Sequence, residues 1–166
     1  MMVRKTEHYA LPRASFQNDP KVLIVIAPYY KPIADNLLKG ATTEILASNG
    51  TFESVEVPGA LEIATAIGIA ERLEKFDAYV ALGCVIRGET THYETVCNDS
   101  SRGLTLLGLQ GLCIGNGILT VENFEQAEER ADPENNPTTL ANTPASLSTH
   151  TTNICVSNLP FLVGML

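Results

Sequence analysis

The chain has 166 residues, of which 45% are apolar and 18% are charged, and its formal charge at pH 7 is −8. This length suits one domain with a substantial core, and the composition is that of an ordinary globular protein. The negative charge argues against a nucleic acid or an anionic membrane as partner, because both require a basic surface. No run approaches the roughly 20 apolar residues of a membrane span.

The amino end and the cysteines bear on the compartment. Residues 1–20 are polar and lack the apolar core of a secretory signal, so we expect a polar arm and a cytoplasmic protein. The chain has four cysteines, at Cys84, Cys97, Cys113 and Cys155. Their spacing forms neither a CxxC pair nor a zinc-binding pattern, so we expect reduced, packed thiols and no metal site.

Residues 21–131 predict an alternation of strands and helices. Apolar or alternating runs predict strands at 21–27, 53–57, 78–82 and 111–120. Apolar residues at helical spacing and turn residues predict helices at 33–47, 60–75, 91–110 and 122–131. Helical connections of this length join parallel strands by right-handed crossovers. We therefore predict an α/β fold, a flavodoxin-like three-layer α/β/α sandwich around a four-stranded parallel sheet.

The composition changes after Ala131. Residues 132–166 are rich in Ser, Thr, Asn and Pro and contain neither Lys nor Arg. Prolines at 133, 137, 144 and 160 interrupt any long helix. We therefore predict a divergent, irregular or disordered tail that does not continue the α/β domain.

The strongest signal of a site lies at residues 81–96, which run from the third predicted strand through a turn at Gly88 into a helix. Ligands bind at the carboxyl ends of parallel strands, and the N–H groups and dipole of a helix start favour an anion. His92 follows this turn and can transfer a proton near neutral pH. A lone histidine is more often a surface residue, but the adjacent N–H groups and the Thr90 hydroxyl favour an active site.

Several other residues have the chemistry of ligand contacts, but each also has a simpler explanation. Tyr29 and Tyr30 follow the first strand, where a ring can stack on a flat heterocycle or pack against a helix. Glu62 lies in a helix start, where the dipole alone favours a carboxylate. Asn116 fits a turn between glycines, and Arg130 fits either a solvated arginine or a guanidinium clamp for phosphate. The residues alone leave these alternatives open.

Three motifs are specific enough to indicate a family. They are Val57-Pro-Gly-Ala-Leu-Glu-Ile63, Gly83-Cys-Val-Ile-Arg-Gly-Glu-Thr-Thr-His-Tyr93 and Gly117-Ile-Leu-Thr-Val-Glu-Asn-Phe-Glu-Gln-Ala127. Over about residues 20 to 131, the chain resembles the 6,7-dimethyl-8-ribityllumazine synthase family. The resemblance implies condensation of 5-amino-6-(D-ribitylamino)uracil with 3,4-dihydroxy-2-butanone 4-phosphate, the penultimate step of riboflavin synthesis, without a cofactor or metal. It also implies a homopentamer or a larger assembly of pentamers.

The resemblance also implies roles for individual residues. His92 is the implied proton-transfer residue, and Glu89 and Thr90 are implied to bind phosphate, together with Arg130 from a neighbouring subunit. The other substrate contacts are implied to come from Tyr29, Ala60, Leu61, Glu62, Cys84, Val85, Ile86 and Asn116. In this set, the ring of Tyr29 replaces the more usual phenylalanine on the pyrimidine, and Asn116 is implied to come from the neighbouring subunit.

The tail is the main departure from the family. The family continues with an Asn-Lys-Gly-Gly-like turn and a final amphipathic helix, whereas residues 135–139 lack both the lysine and the helical pattern. The abrupt change favours the hypothesis of a shifted reading frame or an altered carboxyl end, which sequencing the source gene tests. An alternative function is therefore a degenerate relative that binds a flavin or pteridine without efficient turnover. A flavodoxin-like FMN carrier is disfavoured, because no phosphate-binding loop follows the first strand.

Overall fold

The computed structural model describes residues 19–132. Strands and helices alternate in this range: β1 (Lys21–Ile26), α1 (Lys31–Ala47), β2 (Thr51–Glu56), α2 (Ala60–Leu73), β3 (Ala78–Ile86), α3 (His92–Leu109), β4 (Ile114–Val121) and α4 (Phe124–Ala131). The four strands are parallel, in the order β2-β1-β3-β4. This confirms the predicted α/β fold. The predicted arm (1–20) and the predicted tail (132–166) lie outside the described residues, apart from residues 19, 20 and 132 at their inner ends.

Two strand boundaries differ from the prediction by three residues or more, each for a local reason. The prediction ended the third strand at Leu82, but β3 continues to Ile86 because β4 pairs with it along that length. The prediction began the fourth strand at Gly111, but this residue has φ +95° and forms the turn that follows α3. Glycine adopts this conformation without steric cost, so the turn ends before β4 begins.

The core has one layer on each face of the sheet. Alternate residues of β1 and β3 pack towards α1 and α4, and the intervening residues pack towards α2 and α3. On the first face, Ile24 and Leu82 meet Leu37 of α1. On the second face, Val25 and Ile63 are among the buried side chains. Burial on both faces explains the continuous apolar runs of the central strands and confirms the three-layer sandwich.

The strand order sets the position of a possible site. The chain passes from β1 to β2 on one side and then to β3 on the other side of β1. The order therefore reverses between β1 and β3, and a crevice at the carboxyl ends of strands is expected at such a point. Among residues 19–132, no helix is both long enough and apolar enough to cross a membrane.

The contact between α2 and α3 depends on Gly103. A Cβ at this position would lie 2.7 Å from the Cβ of Ala64, whereas a Cβ at Gly108 of the same helix would meet no atom within 4 Å. We expect Gly103→Ala to lower the free energy of unfolding by about 1–3 kcal/mol, because the two helices must separate. Gly108→Ala is the matched control, and it should be neutral or stabilising by up to about 1 kcal/mol. Urea unfolding followed by circular dichroism measures both, and equal stabilities would contradict the close packing.

Candidate active site

A pocket of about 480 Å³ opens at the carboxyl edge of the sheet. Its walls come from the segment after β1, the start of α2, the end of β3 and the start of α3. This volume is in the usual range for a small-molecule site. The lining residues are Ala27, Tyr29, Tyr30, Gly59, Ala60, Leu61, Glu62, Cys84, Val85, Ile86, Gly88, Thr90, His92, Tyr93 and Val96.

The end of β3 gives the pocket an open backbone edge. β1 pairs with β3 only as far as Ile26 opposite Leu82, whereas β4 continues to Val121 opposite Ile86. Within the described part of the chain, residues 84–86 therefore have a strand partner on one side only. The same residues line the pocket. Their unpaired peptide groups are donors and acceptors that a flat polar heterocycle can satisfy.

The start of α3 forms a second wall and leaves backbone donors available. The helix begins at His92, and the side chain of its N-cap residue, Thr91, makes no capping hydrogen bond. The backbone N–H of His92 is 3.4 Å from the Thr90 hydroxyl, which is a long contact. A Cβ on Gly88 would meet no atom within 4 Å, so the turn leaves open space before the helix. This geometry supports an anion beside the exposed imidazole of His92.

Aromatic side chains form the opposite side of the pocket. Tyr29 is 74% exposed, so it does not pack against the helix below, which was one of its two possible roles. Its ring meets that of Tyr30 edge to face, with 5.0 Å between the centroids, and Tyr30 contacts Phe124 in the same way over 6.2 Å. Burial raises the pKa of the Tyr30 phenol, so this group is neutral at pH 7. Tyr29 thus presents an aromatic ring at the mouth of the pocket.

A carboxylate and a thiol complete the pocket. Glu62 lies in the first turn of α2. Its carboxylate lies close to Gly59, because a Cβ built at that glycine would be 3.0 Å from Oε2 of Glu62. Burial raises the pKa of the Cys84 thiol to about 11, so the thiol is protonated and acts as an apolar wall rather than a nucleophile. Among residues 19–132, no three His, Cys, Asp or Glu side chains are grouped to hold a metal ion.

Three of the predicted site residues do not line this pocket. Glu89 lies exposed in the turn before α3, and Arg130 lies exposed in the last turn of α4. Asn116 is within β4 rather than in a turn, and its Oδ1 accepts a hydrogen bond from the N–H of Ile118 over 3.0 Å. The other predicted residues are all brought together at the pocket. The role of each residue remains a prediction.

Tyr93 and Val96 line the pocket but were not among the predicted site residues. Val96 lies four positions after His92, so helical spacing places it on the same side of α3. Tyr93 follows His92 directly, and the turn motif already contained it. For Val96, the signal that could have identified it is therefore the helical spacing counted from His92, whereas the sequence analysis used that spacing only to assign core residues.

A known protein family matches the part of the chain that forms the pocket. The 6,7-dimethyl-8-ribityllumazine synthase family matches residues 19–150, which include every pocket residue and extend beyond Ala131. The 6,7-dimethyl-8-ribityllumazine synthase of Jannaschia sp. is 60% identical over 118 residues, which are 71% of this chain and 66% of that relative. The enzymes of the same name from Sphingopyxis alaskensis and Bartonella tribocorum are 57% and 56% identical, over 79% and 76% of their lengths.

The matched region thus spans slightly less than two thirds of the Jannaschia protein and about three quarters of the other two relatives. It covers 71%, 67% and 68% of this chain, respectively. The fold, the pocket at the end of β3 and the family match over residues 19–150 agree with one another. The chain belongs to the 6,7-dimethyl-8-ribityllumazine synthase family.

Proposed function

We propose that this chain condenses 5-amino-6-(D-ribitylamino)uracil with 3,4-dihydroxy-2-butanone 4-phosphate to 6,7-dimethyl-8-ribityllumazine, the penultimate step of riboflavin biosynthesis in the cytoplasm. Family membership and the names of the relatives support this reaction. The observation that carries the proposal is the pocket, which combines the exposed imidazole of His92 with an open helix start. The reaction releases inorganic phosphate and two molecules of water without net oxidation, so we expect no cofactor.

Proton transfer is the main chemical requirement. The pyrimidine amine attacks the ketone and water leaves to form an imine. Phosphate is then eliminated, and the second amine attacks the remaining carbonyl and closes the ring as the second water leaves. His92 moves protons in these steps, and its position at the start of α3 supports this role. The backbone donors of the same helix start, with Thr90 and Glu89 in the preceding turn, hold the phosphate next to the imidazole. Holding both substrates together supplies the remaining rate enhancement.

The pyrimidine binds between the aromatic side of the pocket and the open edge of β3. The exposed ring of Tyr29 stacks on the heterocycle, and the backbone of residues 84–86 provides hydrogen bonds to its polar edge. Ala60 and Leu61 shape the adjoining wall at the start of α2. The Glu62 carboxylate accepts hydrogen bonds from the ribityl hydroxyls.

A neighbouring subunit supplies the cation for the phosphate. None of the residues that line the pocket in the described chain is Lys or Arg. Arg130 is exposed on α4 and does not line the pocket of its own chain, which supports its contribution to another subunit's site. Asn116 likewise does not line the pocket of its own chain. The assembly that brings these residues to each site is a homopentamer or a particle built from pentamers.

His92→Ala tests proton transfer. We expect this variant to form lumazine roughly 10-fold or more slowly, because general acid–base catalysis contributes about 10² to 10⁴ in rate. Lumazine fluorescence measures the rate, and circular dichroism and particle size serve as controls for folding and assembly. An unchanged rate would show that proximity dominates. A wild-type protein that binds a pteridine but forms no product above the spontaneous rate would support the degenerate binding protein instead.

Mixing two impaired variants tests the shared site. A subunit with Arg130→Ala keeps His92, and a subunit with His92→Ala keeps Arg130, so some interfaces in a mixed assembly contain both residues. After joint refolding at equal amounts we expect about one quarter of the wild-type activity, since one interface in four has the intact combination. Each variant refolded alone is the control. Recovery no greater than the sum of the two separate activities would place Arg130 in the site of its own chain.

A further inference from the structure

Arg87 connects three elements that meet beside the pocket. Its Nε donates to Oε2 of Glu122 over 2.7 Å, and its Nη1 donates to the carboxylate of Glu94. Its backbone N–H donates to the carbonyl of Val121 over 2.9 Å. The guanidinium lies over the ring of Tyr93, with 4.1 Å between Cζ and the ring centroid. One residue therefore joins the end of β3, the first turn of α3 and the segment between β4 and α4.

These contacts hold the part of α3 that carries the catalytic histidine. Tyr93 and Glu94 directly follow His92, and Tyr93 also lines the pocket. On the other side, Glu122 precedes a closed helix start, where its N–H donates to Oε1 of Gln126 over 2.9 Å. The first turn of α3 is thus attached through one guanidinium to the fixed beginning of α4.

The arrangement holds the guanidinium at more points than an ordinary surface ion pair does. A single exposed pair contributes little to stability, because solvent screens it and two long side chains must be ordered. Here the planar guanidinium has two carboxylate partners and an aromatic ring below it, which fixes its orientation. The neighbouring guanidinium also lowers the pKa of Glu94, so this carboxylate is ionised at neutral pH.

We propose that Arg87 is a positioning residue, which fixes the first turn of α3 against β3 and the start of α4 and thereby the position of His92 and its open helix start relative to the rest of the pocket. Direct binding of phosphate by Arg87 is a weaker explanation, because two carboxylates already balance its charge. Arg87 is also not among the residues that line the pocket. The catalytic consequence of this inference rests on the proposed function, whereas the structural consequence does not.

Two variants of Arg87 separate geometry from charge. Arg87→Gln removes both ion pairs, and Arg87→Lys keeps the charge without the planar fork that reaches both carboxylates. We expect each variant to lower kcat roughly 10-fold, because small misplacements of a catalytic group have effects of this size or larger. We expect KM for the pyrimidine substrate to stay within about twofold, since Tyr29 lies on another element and the backbone of residues 84–86 stays paired with β4 in both variants. Lumazine fluorescence under steady-state conditions measures both constants.

Arg102→Gln is the matched control. Arg102 also lies on α3, pairs with Asp99 over 3.0 Å and does not line the pocket, so we expect wild-type kinetics. Full activity in Arg87→Lys would contradict the proposal, because the positive charge alone would then be sufficient. A pyrimidine KM that rises as much as kcat falls would also contradict it, because the whole pocket would then be disturbed.

Hydrogen exchange tests whether Arg87 holds the first turn of α3, and it requires no enzymatic activity. The amides of residues 95–98 donate to the first-turn carbonyls of α3, beginning with Thr95 to Thr91. We expect them to exchange roughly 10-fold faster in Arg87→Gln and at the wild-type rate in Arg102→Gln. Unchanged exchange in Arg87→Gln would contradict the positioning role. If the wild-type protein forms no lumazine, the proposed function fails, and this exchange comparison still decides the structural inference.

Discussion

The site depends on a difference in length between the two central strands. β3 continues to Ile86, whereas the pairing of β1 with β3 ends at Leu82. β4 supports the longer strand, and Gly117 permits the close contact, because a Cβ there would lie 2.8 Å from Cδ2 of Leu82. The extra residues of β3 extend past β1 and expose one backbone edge. The segments after β1 and β2 and the start of α3 surround that edge, so the pocket follows from the sheet rather than from loops added to it.

The starts of α3 and α4 differ in whether side chains cap their backbone donors. At α4, Oδ1 of Asn123 accepts from the N–H of Gln126 over 2.9 Å, and the Gln126 side chain accepts from Glu122, which closes the helix start. At α3, the N-cap Thr91 provides no such bond, and the donors remain available to a ligand. An uncapped start is less stable on its own. On the proposal above, attachment of the open start to the closed one through Arg87 keeps the open donors in place.

The sequence was sufficient for the fold and for the residues close to the central motif, because both depend on local patterns. Apolar runs identified the buried strands, and residues 83–93 contained His92 and most of one pocket wall. The length of β3 was not predictable, because Gly83 is a poor strand residue and pairing with β4 overrides that preference. The partners of Arg87 were also hidden, since Glu122 is 35 positions away and is brought close only by β3–β4 pairing.

The charge of the pocket links catalysis to assembly. A helix start supplies only about half a positive charge, whereas a phosphate monoester carries about −1.5 to −2 at pH 7. Pocket residues of the described chain add the Glu62 carboxylate and no Lys or Arg, and the whole chain is already at −8. On the proposal that Arg130 of a neighbouring subunit completes the site, one guanidinium from outside the subunit offsets about one unit of this negative charge where the phosphate binds. By linkage, that proposal requires the phosphorylated substrate to favour the assembled state by the same factor by which assembly raises its affinity.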